Sequence, residues 1–240
     1  MPEKYFEDSF LFDFDSELIE IIESEEGPAL IFKDTIFYPQ GGGQPSDRGS
    51  IASDFFNFEV HKVRKKENRI LHFGKLKSGD LKLGSVHQKL DSNLRIQHTQ
   101  IHSAGHILDV AMIRIGIDLL PTKGYHFPDS PYVEYQGVIE AEERSEVIEK
   151  LNRSLENLIK EDHFIEAQWV NGLNAVKELC PQVPSYLDFS QDIRIVTVAD
   201  GIGCPCAGTH VKKTSEIKRI EVKKIKCKKG ITRVSYTVSN

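Results

Sequence analysis

Six side chains able to hold a metal ion fall in two short stretches of this 240-residue chain. The first is His98-Thr-Gln-Ile-His-Ser-Ala-Gly-His106, and the second is Gly201-Ile-Gly-Cys-Pro-Cys-Ala-Gly-Thr-His-Val211. His98, His102 and His106 are each four apart, so on a helix they stack along one face and any adjacent pair could grip one ion. The second stretch sets Cys206 four residues before His210. Cys204, two residues earlier, faces the same way in an extended backbone, and spacing alone does not exclude it. Two imidazoles from a helix with a thiolate and an imidazole from a turn make a four-coordinate zinc site. Gly208 lets His210 swing back toward the ion, and Pro205 stiffens the approach. The glutamate of an H-E-x-x-H motif is missing, which disfavours metalloprotease chemistry.

The elements that must position these groups can be read from periodicity. Asn93 to Ile115 has helical spacing, with Leu94, Ile101, Leu108 and Met112 on one stripe and Gly116 as the stop. Upstream, residues 1–90 read as β-rich: Ser9-Phe-Leu-Phe-Asp-Phe, Ala29-Leu-Ile-Phe, Phe55 to Val63, and Arg69 to Phe73. A small barrel or sandwich closes such a sheet. Downstream, residues 117–137 form an aromatic-rich loop and hairpin in which His126 is a weak site candidate. An amphipathic helix follows from Glu140 to Glu161, its stripe made by Ile148, Leu151, Leu155, Leu158 and Ile159. Glu166 to Val170 reads as a strand and Asn171 to Cys180 as a short helix, with Trp169 and Cys180 assigned to the core. The strand Arg194-Ile-Val-Thr-Val-Ala feeds into the cysteine turn. Two strands joined at Lys229-Gly230 close the chain, at 217–227 and 231–238. The expected fold is α+β: a small β-barrel-like subdomain over 1–91, then a two-layer domain over 92–240 with an antiparallel sheet.

Composition narrows the class. No apolar run approaches the roughly 20 residues that span a bilayer, and the acidic N-terminus lacks a leader pattern. We expect a soluble, unprocessed, cytoplasmic protein with no membrane partner. In that setting the four cysteines, Cys180, Cys204, Cys206 and Cys227, point to metal or redox chemistry rather than a disulfide framework. Net charge is −5 but unevenly spread. Val211 to Gly230 holds nine Lys or Arg against two Glu. That run is a solvated strand face or a local phosphate-facing patch.

A further motif lies in the first region: Asp34-Thr-Ile-Phe-Tyr-Pro-Gln-Gly-Gly-Gly-Gln-Pro-Ser-Asp-Arg-Gly49. Its glycine triplet is either a tight bend or a bare backbone that a ligand approaches closely. It is not a phosphate-binding loop, because no Lys-Ser/Thr follows the glycines. Taken with His102-Ser-Ala-Gly-His106-Ile-Leu108 and Cys206-Ala-Gly-Thr-His210-Val211, this loop resembles the editing-domain family of alanyl-tRNA synthetase, especially its free-standing AlaX-type members. The similarity runs from about Asp34 to Val238, with three motifs in the family's order. Ala207 departs from the glycine usual in the family.

The resemblance implies a zinc ion held by His102, His106, Cys206 and His210, with His98 and Cys204 as residues behind the ligands. It implies Thr35 and Gln44 near the amino acid and the terminal ribose of the substrate. The implied activity is hydrolysis, in trans, of the ester in mischarged tRNA-Ala, with serine and in some members glycine removed, as translational proofreading. The implied partner is the acceptor end of that tRNA. Four protein ligands leave no open position for water on the ion. A positioned water attacking the ester carbonyl, with zinc organising the site, is then the expected mechanism; if one of the four stays off the metal, zinc-bound hydroxide is the alternative. The competing readings are a noncatalytic tRNA-binding zinc module with the same fold and a zinc hydrolase of small esters.

Overall fold

The computed structural model describes residues 3–184 and 187–239. The chain forms two compact units, Met1–Thr99 and Gln100–Asn240.

The first unit is a closed antiparallel barrel. Its strands are β1 (Asp13–Ile22), β2 (Ala29–Phe32), β3 (Gly49–Ala52), β4 (Phe56–Lys66), β5 (Arg69–Gly79) and β6 (Gly84–Leu90). Around the barrel they run β1-β2-β5-β4-β3-β6, with β6 returning to β1. Alternation explains the core: Phe56, Phe58 and Val60 on β4 and Val86 and Leu90 on β6 point inward, between exposed polar neighbours. A bulge between Val60 and Lys62 shifts the phase, so that Val63 also faces the core. The first strand differs from expectation. The aromatic stretch Ser9–Phe12 lies before β1, and the acidic segment Asp13–Ile22 is the strand itself. Its acids point outward, and pairing on both edges, with β2 and β6, overrides their poor strand preference.

The glycine-rich loop is held by buried polar groups. Gly41 and Gln44 exchange backbone hydrogen bonds, and Gly42 and Gly43 take positive φ of 53° and 78°. Asp47 accepts from the Tyr38 N–H at 2.6 Å. The same carboxylate is paired with Arg95, whose side chain is fully buried and also donates to the carbonyls of Ser9 and Ile36. Gln88, pointing into the barrel, accepts from the Ile36 N–H and donates to the Asp34 carbonyl.

The helix α1 (Ser92–Arg114) begins in the first unit and continues into the second. Asp91 accepts from the Leu94 N–H and starts it. Gly116, at φ 81°, ends it, and the Ile117 N–H reaches back to the Met112 carbonyl. From Ile101 to Met112 it is buried on almost every side, so Ile107, Val110 and Ala111 join the expected stripe.

The second unit continues with β7 (Leu120–Tyr125), β8 (Tyr132–Gln136), α2 (Arg144–Lys160), β9 (Glu166–Asn171), α3 (Gly172–Leu179), β10 (Asp192–Thr197), β11 (Gly203–Pro205), β12 (Arg219–Lys228) and β13 (Ile231–Ser239). These strands form two antiparallel sheets, β11-β10-β9 and β12-β13-β8-β7. Val147, Leu151, Leu155 and Leu158 are the buried stripe of α2, so Val147 rather than Ile148 opens it. Asn152 on α2 bonds both the N–H and the C=O of Val222 on β12. Lys229 and Gly230, both at positive φ, turn β12 into β13. Cys180 is buried against α3 and β10 as expected. Trp169 is not core: it is 41% exposed on the sheet edge strand β9. No helix among the described residues is long and apolar enough to cross a membrane.

Two outcomes test the barrel account. Arg95→Met strands the Asp47 carboxylate in the core and should cost about 3–5 kcal/mol in chemical denaturation, whereas Arg95→Met with Asp47→Leu should recover much of it. Burial holds the His72 imidazole down to about 4, below its ordinary 6.5. The stability it lends is therefore complete above pH 6.5 and drains as pH falls toward 4. The total is about 3 kcal/mol. His72→Gln should flatten that acid limb in denaturation curves taken across the window.

Candidate metal centre

The later turns of α1 and the β10–β11 hairpin build this site from opposite sides. His102 and His106 lie one helical turn apart, their rings stacked with centroids 5.1 Å apart. The hairpin turns at Asp200-Gly201, both at positive φ, and returns antiparallel to β10 with Cys204 opposite Val196. The Cys206 N–H then bonds the Arg194 carbonyl, extending the pairing by one residue. Cys204 and Cys206 share a strand face for the reason their spacing gave.

The donors converge. One ligand atom each from His102, His106, Cys206 and His210 lies within 4.8 Å of all the others. The Cys206 Sγ is 3.3 Å from Nε2 of His102, 3.3 Å from Nε2 of His106 and 3.6 Å from Nε2 of His210. Cys204 falls on the far side of the His106 ring, its Sγ 3.0 Å from Nδ1. That contact fixes how the imidazole is presented, since an Nδ1–H directed at Cys204 leaves the Nε2 lone pair facing the cluster. His98 is not among the four grouped donors. It is buried in the portion of α1 belonging to the first unit.

Burial sets the electrostatics. It lowers the imidazoles of His102 and His210 well below their usual range, with neighbouring histidines adding to the effect, and brings His106 down to about 4. It pushes the Cys206 thiol up to about 11. Neutral imidazoles are ready ligands. A thiol in this environment loses its proton only if a nearby cation offsets the burial, which a metal ion does. The residues thus fit a metal ion: a soft sulfur, three lone-pair nitrogens, and no carboxylate in the group.

Other residues support the cluster; of these, His126 and Gly208 are candidates in the sequence, while Arg194 reads there only as part of a strand. Arg194, 7% exposed, donates to the carbonyls of Cys206 and Gly208 and pins the turn. The Ser103 Oγ accepts the Val211 N–H just past His210. His126 stacks on His102 at 4.6 Å, and its Nδ1 meets the Tyr236 hydroxyl, which in turn donates to the Ile101 carbonyl. Gly208 is required by close approach, because a Cβ there would sit 2.0 Å from Cε1 of His102.

The other two motif residues belong to the first unit. Thr35 and Gln44 are buried there, at 2% and 0% exposure. The Thr35 Oγ1 is 2.8 Å from Nε2 of His72 and accepts from the Phe37 N–H. His72 Nδ1 meets the Leu30 carbonyl and must donate there. Its Nε2 therefore accepts, and the Thr35 hydroxyl donates to it.

Comparison with known proteins places this architecture. Residues 8–94 match the family model for class II (A) tRNA synthetases, and residues 193–235 match that for the threonyl and alanyl tRNA synthetase second additional domain. The chain is 30% identical over 97% of its length to the alanyl-tRNA editing protein AlaX-L of Pyrococcus horikoshii. The chain belongs to the alanyl-tRNA synthetase editing-domain family. Its similarity extends to the alanine–tRNA ligases of Halorubrum lacusprofundi and Methanobrevibacter smithii, each 27% identical over 97% and 94% of the chain. It spans 57% of the AlaX-L relative and 25% of each of these ligases. In editing-domain terms, the second matched segment runs from β10 to β13 and carries Cys204, Cys206 and His210.

Metal analysis tests the cluster. His102→Ala, Cys206→Ala and Gly208→Ala should each drop bound metal well below one equivalent per chain and destabilise the second unit. One full equivalent retained by either ligand variant removes that residue from the ligand set.

Proposed function

We propose that this chain is a zinc-containing aminoacyl-tRNA deacylase. It removes serine, and in a second capacity glycine, from mischarged tRNA-Ala, acting in trans in the cytoplasm. The observation that carries the reading is the convergence of His102, His106, Cys206 and His210 in a chain of the editing-domain family. Tetrahedral zinc with its usual bond lengths separates sulfur and nitrogen ligands by about 3.5 Å. The three Sγ–Nε2 separations, 3.3, 3.3 and 3.6 Å, support zinc. When bound, zinc supplies a fixed double positive charge that organises the site.

The reaction needs a second site for a physical reason. A pocket that admits alanine cannot strongly reject the same side chain bearing one extra hydroxyl. An editing site works in the opposite sense, rewarding that hydroxyl. The Thr35 hydroxyl has donated its proton to His72 and accepted one bond from Phe37, so it retains one lone pair. In this proposal that lone pair accepts the hydroxyl of a seryl ester, and alanine has nothing to offer it. Gln44 sits on the reciprocally bonded turn with Gly41, which supports a role in positioning the terminal ribose. A positioned water attacks the ester carbonyl, and the tRNA 3′-oxygen leaves with the proton.

Incubation with Ser-tRNA-Ala, Gly-tRNA-Ala and Ala-tRNA-Ala separates the readings. Fast release of serine with alanine retained supports deacylation. Binding without release identifies a noncatalytic tRNA module, and release from simple seryl esters as fast as from tRNA identifies a small-ester hydrolase. Thr35→Val should lower the Ser-over-Ala preference about tenfold, the worth of one hydrogen bond of about 1.4 kcal/mol, with metal content unchanged. Thr35→Ser should keep it. An unaltered preference in Thr35→Val takes Thr35 out of recognition.

A further inference from the structure

The solvent-facing side of the sheet β12-β13-β8-β7 has no part in the chemistry above, yet it is built in an unusual way. Cross-strand pairing sets out two rows on that face: Lys226, Arg233, Glu134 and Lys123, then Lys224, Ser235, Tyr132 and Tyr125. Residues paired in this way point to the same side of a sheet. The opposite face carries Val222, Ile225, Val234 and Tyr236, all buried.

Lys123, Lys224, Lys226 and Lys228 are exposed. Among the described residues none of the four lies within ion-pair distance of a carboxylate, whereas cations on the barrel such as Lys62, Arg64 and Arg69 are paired. The one acid in these rows, Glu134, is already engaged by Arg233 at 2.6 Å. The face is therefore a local positive field on a chain whose net charge is −5.

Beside the lysines lies a ladder of flat groups. Phe127, Tyr125 and Tyr132 stack with centroids 4.6 and 5.2 Å apart and planes within 14°. The Arg233 guanidinium caps the ladder, 3.9 Å from the Tyr132 centroid. A guanidinium held this way gives up little rotational freedom when it meets an anion. Lys224, Lys226 and Lys228 recur at every second residue of β12, about 7 Å apart. That interval is comparable to the spacing of successive phosphates on a nucleic-acid strand.

We infer that this sheet face binds the sugar–phosphate backbone of RNA, giving the site its hold on the tRNA arm without reading base sequence. The inference rests on the tRNA reading above. Lysines dominate the face, and lysine contacts phosphates as a point charge rather than as a bidentate base reader. The aromatic rings pack on one another instead of projecting apolar tips, which disfavours insertion into a lipid surface.

The test uses the full chain and a fluorescein-labelled, uncharged RNA minihelix with a single-stranded 3′ end. Titrations run between about 50 and 200 mM salt. Lys224→Gln, Lys226→Gln and Lys228→Gln combined should weaken binding at least about tenfold. The same variant should flatten the log–log salt slope by about 2–3. It should raise KM for Ser-tRNA-Ala with kcat unchanged and metal content intact. The matched barrel variant Lys66→Gln, Lys75→Gln and Lys89→Gln should bind as the parent does. Equal binding by the parent and the β12 variant overturns the surface while leaving the deacylase reading standing. So does a loss confined to phosphatidylserine vesicles. A parent chain that binds neither minihelix nor tRNA at any salt overturns the tRNA reading and this surface together.

Discussion

A buried space that disfavours charge on every group lining it is the constraint on which the second unit depends. Three imidazoles are held neutral and a thiol is held protonated by their removal from water. The cation of Arg194 acts in the same direction on the imidazoles and opposes burial at the thiol. Such a group of donors has no reason to assemble for packing alone. The register of α1, the return of the β10–β11 hairpin, the missing side chain at 208 and the clamp from Arg194 all serve one arrangement. Together they make a cluster that could hold one metal ion.

The first unit shows the same economy in a different chemistry. Its glycine-rich loop is not slack chain. Asp47, Arg95, Gln88, His72 and Thr35 tie it down with buried hydrogen bonds. Buried polar networks are useful only when each member is satisfied. That condition leaves the Thr35 hydroxyl with a defined direction and a defined remaining valence. A loop fixed to this degree has little conformational entropy left to lose.

Much of this was legible from residue types and spacing. Four-residue intervals put His102 and His106 on one helical face, and the alternation of the Arg194 strand led into the cysteine turn. The family resemblance, rather than geometry, chose among the three histidines and between the two cysteines. The rest depended on partners distant in the chain. Arg194 read as one more polar residue on a strand, because the carbonyls it grips lie 12 and 14 residues away. The strand expected at Ser9 to Phe14 begins instead at Asp13 and runs on to Ile22, because pairing with β2 and with the distant β6 decides its bounds. Trp169 looked like core because tryptophan usually is, but β9 is an edge strand of a small three-stranded sheet with too little apolar surface to cover it.

The two hydrogen bonds between Asn152 and Val222 bear on how this protein behaves in a crowded solution. β12 is the outermost strand of its sheet, and an open strand edge is a template on which a second chain can add. Asn152 occupies both the donor and the acceptor at the strand's bulge, and the lysines along β12 repel a like-charged copy. Both features work against the addition of a second copy at this edge.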